Sequence, residues 1–276
     1  MFKRIAIYRL NAVVLLIIIV ASAGAAWGQG TDAEDGREAH AYLIFREGRK
    51  LAENRSPGDA LKKAEQCYQE ALAIFRELKH EKGEAEVLDE LGTVYGHREQ
   101  YAAALEYLKK AVEIKRRIPW PDGEGYSLSY LGYLYSKQGQ YDKAAEYYEQ
   151  SLKAYENTGK VYAPAQSLSA LGTAYRKLEQ YPKAIECFEK SLEGARKRGS
   201  ARAEADALGR LGSVYADQKQ YATAVKYFEE SAGIAKKNRN MALTQWALHN
   251  AGLAYLRLDQ GPKAIECLAE ALAIAE

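Results

Sequence analysis

Apolar residues recur along the chain at i, i+3, i+4 and i+7, the spacing that gathers them on one face of a helix. Leu88, Leu91, Gly92 and Tyr95 form one such stripe. The same slots are refilled 40 residues on by Leu128, Leu131, Gly132 and Tyr135, and again by Leu168, Leu171, Gly172 and Tyr175. Two further copies read Leu208, Leu211, Gly212, Tyr215 and Leu248, Ala251, Gly252, Tyr255. A second stripe follows each first one at the same step: Ala104, Leu108, Ala111; Ala144, Tyr148, Ser151; Ala184, Phe188, Ser191; Ala224, Phe228, Ser231; Ala264, Leu268, Ala271. A short polar turn ending in Gln100, Gln140, Gln180, Gln220 or Gln260 separates the two stripes. Such a link joins only an antiparallel helix pair. The pattern therefore predicts an all-α solenoid in which one helical hairpin is stacked on the next.

The glycine within the first stripe costs about 1 kcal/mol against alanine in a helix interior. Because the tyrosine beyond it continues the stripe, the glycine does not end the helix. Close approach of the partner helix, through Ala104 and its equivalents, is the physical reading.

The order Leu–x–x–Leu–Gly–x–x–Tyr, then small–x–x–x–aromatic–x–x–small, resembles the tetratricopeptide repeat. The resemblance covers residues 81–276. Its 40-residue step is longer than the usual 34 and is similar to the variant in kinesin light chain and bacterial signalling proteins. It implies a right-handed superhelix with a concave groove lined by the first helix of each pair, and hence binding of another protein or a peptide. Five clear repeats are expected after a degenerate N-terminal one.

That degenerate copy is expected over residues 37–80. Ala64, Tyr68 and Ala71 lie 40 residues before Ala104, Leu108 and Ala111, while Gly48 falls on the leucine slot and Arg55 on the tyrosine slot. Pro57 and Gly58 break the chain before Asp59, which is expected to cap the following helix. At the other end, the second helix rich in Ala and Leu lacks a polar successor, so Leu268, Leu272 and Ile274 are expected to be exposed. A homodimer through that face is the alternative use of the molecule, and an accessory or sensor module of a larger enzyme or receptor system is another.

Residues 1–28 are of a different kind. Lys3, Arg4 and Arg9 precede an apolar run from Ala12 to Ala21, and small residues follow through Gly28. This is the layout of a secretory signal peptide, with cleavage expected between residues 25 and 28. Export to a periplasm or the medium follows; the alternative is an uncleaved membrane anchor over residues 10–27. Residues 29–36 read as a polar linker.

Candidate chemistry changes the picture little. The four histidines, His40, His80, His97 and His249, form no H-E-x-x-H set, and no C-x-x-C pair exists, so neither metal nor cofactor is expected. No catalytic set emerges, and the chain is read as a non-enzyme. Lys+Arg number 39 against 37 Asp+Glu, so no strong net field draws nucleic acid. The basic clusters Lys115-Arg116-Arg117, Arg196-Lys197-Arg198 and Lys236-Lys237 fall at the ends of second helices, where cations complement the helix dipole. Cys67, Cys187 and Cys267 share one slot that carries Tyr107, Tyr147 and Tyr227 in the other copies. Their whole-repeat spacing places them too far apart for bridges between them, so they read as packing thiols, with an intermolecular bridge through Cys267 as the alternative.

The groove implied by the resemblance draws on positions one and two residues off the packing stripe. These are Tyr126, Ser129, Tyr133 and Lys137, then Gln166, Thr173, Arg176 and Lys177, then Trp246, His249 and Arg257. Tyr126, Tyr133, Arg176 and Lys177 are expected to cluster across adjacent repeats. Where relatives that grip a C-terminal carboxylate use Lys and Asn, this chain holds Ser129, Tyr133, Ser169 and Thr173, which argues against such a clamp.

Overall fold

The structure is a computed structural model that describes residues 31–53, 59–156, 158 and 162–275. The signal-peptide reading of residues 1–28, and the break at Arg55, Pro57 and Gly58, lie outside these residues. Twelve helices and no strand occur among them. In chain order they are α1 (Thr31–Glu53), α2 (Asp59–Glu77), α3 (Glu81–His97), α4 (Tyr101–Arg117), α5 (Pro121–Lys137), α6 (Tyr141–Tyr155), α7 (Tyr162–Lys177), α8 (Tyr181–Lys197), α9 (Ala201–Asp217), α10 (Tyr221–Lys237), α11 (Met241–Arg257) and α12 (Gly261–Ala275). They divide into two compact units, one ending at Ile114 and the other beginning at Lys115. Within each, consecutive helices pack as hairpins. None of the described helices is long and apolar enough to cross a membrane.

The first helix starts earlier than the sequence suggested. Residues 31–36, expected as part of a linker, belong to α1. Acidic residues such as Glu34 and Asp35 suit the positive end of a helix as well as they suit a solvated linker. Asp59 is likewise the first residue of α2 rather than its cap.

From α3 onward each hairpin is closed by its own backbone. After α3, Gln100 N–H donates to Tyr95 O at 2.9 Å and Glu99 N–H to Gly96 O at 3.0 Å. Glu99 carries a φ of 58°. This is a Schellman closure, which satisfies carbonyls that a helix end leaves open. The same bonds recur at Gln180 to Tyr175, Gln220 to Tyr215 and Gln260 to Tyr255.

The stripe glycines do bring the helices together. A Cβ built on Gly92 would meet Leu108 Cγ at 2.6 Å, and on Gly132 the Tyr148 ring at 2.9 Å and Ala144 O at 3.1 Å. Gly172 faces Phe188, Gly212 faces Phe228 and Gly252 faces Leu268 in the same way. The second-stripe serines add a polar tie: Ser151 Oγ donates to Gly125 O and Ser231 Oγ to Ala205 O, both at 2.7 Å.

In the degenerate repeat the register differs by one helical turn from the sequence reading. Gly48 fills the glycine slot rather than the leucine slot, since a Cβ there would lie 2.7 Å from the Tyr68 ring. Gly48 precedes Tyr68 by 20 residues where Gly92 precedes Leu108 by 16, and the four extra residues shift α1 by about one turn. Leu43 then aligns with Val87, yet it is 61% exposed whereas Val87 is fully buried. No earlier helix among the described residues covers α1.

The basic clusters do more than neutralise helix ends. Arg76 reaches Glu84 at 2.8 Å, Arg116 reaches Glu124 at 2.6 Å and Arg196 reaches Glu204 at 2.8 Å, each joining a second helix to the next first helix. Lys236 instead pairs with Glu270 at 2.6 Å. Lys115 turns inward and is 1% exposed. Its Nζ donates to Ser127 Oγ at 2.7 Å and Gly123 O at 3.1 Å, and lies 5.2 Å from the Trp120 ring centre. These acceptors compensate the lost hydration of the ammonium.

Candidate protein-binding groove

In the second unit the first helices α5, α7, α9 and α11 follow one another along one face, and two adjoining cavities open between them. One, of about 430 Å³, is lined by residues that include Ser136, Gln166, Ser169, Thr173, Asp206 and Arg210. The other, of about 800 Å³, is lined by residues that include Arg176, Arg202, Asp206, Arg210, Ser213 and Trp246. Asp206 and Arg210 are shared by both. Their position follows from the stripe: residues next to the packing leucines point away from α8 and α10 and cannot join the core.

The polar side chains of this face hold one another in place. Arg210 Nε pairs with Asp206 at 2.7 Å, while its Nη1 donates to Thr173 Oγ1 at 2.9 Å. Thr173 Oγ1 in turn donates to Ser169 O at 2.9 Å. Arg176 Nε lies 3.0 Å from Asp217. Ser167 Oγ donates to Ser129 Oγ at 3.2 Å. Behind the first cavity, burial pushes the Tyr148 hydroxyl well above the ordinary phenol range, with Tyr133 adding to the shift. Trp246 is pinned: its ring lies 2.5 Å from where a Cβ on Gly209 would stand and meets Phe228 edge-on at 5.9 Å. One side of the indole remains exposed.

The residues picked from the sequence separate into several places. Gln166, Thr173, Arg176 and Trp246 line the two cavities. Tyr126, Tyr133 and Lys137 form an exposed strip on α5 outside both. There Tyr133 stacks on Tyr130 at 5.4 Å and carries Lys137 Nζ 5.4 Å from its ring centre. Lys177 is exposed and lines neither cavity. The expected cluster of Tyr126, Tyr133, Arg176 and Lys177 is thus not one site. Beside Trp246, His249 lines a separate cavity of about 490 Å³ with Leu268 and Leu272, and Arg257 lines another with Leu253 and Leu256. The sequence reading passed over Arg202 and Arg210; a count of cations on α9 would have found them.

At α12, Leu268 is only half-exposed because it packs on Gly252, and Ile274 joins a cluster with Ala232, Ala247 and Leu248. The exposed pair is instead Ile265, 69% exposed, and Leu272, 63% exposed. No group of three or more metal-ligating side chains occurs among the described residues, and all three cysteines are free thiols.

A profile of the tetratricopeptide repeat matches residues 58–117, 124–197 and 203–276. Among solved structures, the apo form of RapI is similar at a TM-score of 0.72 and 21% identity, covering 85% of this chain and 82% of that one. Aspartyl phosphate phosphatase F from Bacillus subtilis gives 0.67 and 16%, covering 91% and 76%. A kinesin light chain from Podosopora anserina with nearly identical TPR-like repeats gives 0.62 and 21%, covering 73% and 98%. At these identities the likeness is one of fold. Comparison with curated protein sequences finds no match.

Proposed function

The chain belongs to the tetratricopeptide repeat family, and from that premise we propose that it is an exported, non-enzymatic scaffold that binds a partner protein or peptide along α5, α7, α9 and α11. The observation that carries this reading is the pair of adjoining cavities sharing Asp206 and Arg210. Their walls alternate donors and acceptors beside a rigid aromatic edge, which suits an extended backbone with side-chain anchors. A solvated helix face has no need of a tryptophan held between Gly209 and Phe228. Export rests on the basic start and apolar run of residues 1–28.

Crosslinked partner capture tests the groove. The parent protein is compared with an Arg202→Glu, Gln166→Ala variant, both positions being exposed. A partner captured by the parent and lost by a variant of unchanged circular dichroism supports the groove; equal capture by both rejects it. N-terminal sequencing of the protein from fractionated cells tests export. A start between residues 26 and 29 supports it, and an intact Met1 in the soluble cytoplasmic fraction rejects it.

Self-association is a second reading, favoured by Ile265 and Leu272. Their equivalents one repeat earlier, Val225 and Ala232, are each 5% exposed because α11 covers them. Light scattering of the parent and of an Ile265→Glu, Leu272→Glu variant decides it: a dimer that the substitutions dissociate supports the reading, and a monomeric parent ends it.

A further inference from the structure

The groove cavity of about 430 Å³ opens over α7, where the first-helix side chains are small. Gln166, Ser169, Ala170 and Thr173 stand there at the slots that hold Tyr126, Ser129, Tyr130 and Tyr133 on α5. Two deeply buried residues of the second helices also line it: Tyr148 on α6, 4% exposed, and Ser191 on α8, 8% exposed. Ser151 and Ser231, at the slot of Ser191, donate to Gly125 O and Ala205 O at 2.7 Å. Ser191 has no such bond, and among the described residues neither its hydroxyl nor that of Tyr148 has a hydrogen-bond partner.

The fold does not require these two hydroxyls. The slot of Tyr148 holds Phe188 and Phe228 in the next two repeats, and the slot of Ser191 holds Ala111 and Ala271, all four buried. A hydroxyl taken from water without a partner costs folding free energy, so a buried one calls for a reason beyond packing. The phenol stays a donor, since burial pushes its pKa well above the ordinary range. Asp206 lines the same cavity with one oxygen, Oδ2, bonded to Arg210, and its other oxygen is left to accept. We propose that this cavity takes the side-chain carboxamide of an asparagine or glutamine of the bound partner, its carbonyl accepting from Tyr148 or Ser191 and its amino group donating to Asp206. A carboxylate in that place would face Asp206, and an ammonium would face Arg198 and Arg210. A carboxamide is neutral and brings both a donor and an acceptor. The proposal rests on the reading of α5, α7, α9 and α11 as a binding groove, and it gives one position of the partner its chemistry.

The test selects binders to the full chain from a phage-displayed library of random linear peptides and titrates the selected peptides, fluorescently labelled, by anisotropy. They are expected to share an Asn or Gln whose replacement by Glu or Leu weakens binding about tenfold. Tyr148→Phe or Ser191→Ala should weaken the original peptide by a similar factor and leave the Leu-substituted peptide unchanged. Peptides that need no Asn or Gln, or two variants that both discriminate Gln from Leu as the parent does, overturn the proposal; the groove reading stands if Arg202→Glu still weakens those peptides. Failure to select any peptide, or peptides indifferent to Arg202→Glu, overturns the groove reading and the proposal with it. A second measurement needs no ligand: the melting temperatures of Tyr148→Phe and Ser191→Ala should be no lower than the parent's. A clear drop in both would mean that the hydroxyls are bonded within the fold, and would overturn the proposal.

Discussion

Gly212 sits beneath the ring of Phe228, so closely that a methyl group on it would lie 2.9 Å from two ring carbons. Phe228 is buried, so the added methyl group has to displace a packed ring. Gly212→Ala therefore sets a helix-propensity gain of about 1 kcal/mol against an overpacking cost of about 1–3 kcal/mol. A net loss of stability is expected in urea denaturation followed by circular dichroism; a gain would show that the helices are further apart than described.

Lys219 closes α9 with a φ of 60°, where Gly139 closes α5 with 72°. An L side chain in that conformation costs about 1 kcal/mol, and glycine removes the cost. Lys219→Gly should raise the melting temperature, and Gly139→Ala should lower it. Calorimetry of the two variants checks both signs.

Several tyrosines hold their protons more tightly in the folded chain. Burial pushes Tyr255 up to about 12, helped by its hydrogen bond to Glu229. Burial does the same for Tyr42, also to about 12, with Glu86 and Glu38 adding to it. Folded values above the unfolded value near 10 mean that this stabilisation is complete below pH 10 and is lost as pH rises toward 12. Alkaline denaturation should show phenolate absorbance rising together with loss of helix. Tyr255→Phe should make the loss of stability over that interval shallower; an unchanged slope would refute the assignment.

Arg196 and Glu204 recur, as residue types, at Arg76–Glu84 and Arg116–Glu124, but the arginine is half in solvent. Regularity does not make an exposed pair strong. A double-mutant cycle with Arg196→Ala and Glu204→Gln should give a coupling of about 0.5 kcal/mol, shrinking with added salt. A coupling that salt leaves unchanged would mean the pair is shielded from solvent.

The parts that the sequence made legible are those written in the 40-residue step: the paired helices, the turn before each glutamine, and the close approach at Gly92 and its equivalents. These depend on spacing along one helix or across one hairpin. The register of α1 was not legible, because Gly48 fits two slots one turn apart and only its contact with Tyr68 chooses between them. The groove was half legible. Proximity to the stripe found Gln166, Thr173, Arg176 and Trp246, but facing outward does not say which cavity a side chain enters. Aromatic character singles out Tyr126 and Tyr133, yet they lie on a separate strip. Arg176 pairs with Asp217, 41 positions further on, a partner that spacing along one helix or hairpin does not reveal.

The exchange of cysteine for tyrosine at position 267 and its equivalents has an evolutionary side. The codons for the two residues differ by a single base, so one point mutation exchanges a ring stacked as Tyr227 is on Tyr215, at 5.3 Å, for a packed thiol such as Cys267. The close approach of the two helices is set at the glycine and alanine slots rather than at this one, so the same hairpin accommodates either residue. A repeat array built in this way can gain or lose a stacked pair in one generation and expose it to selection repeat by repeat.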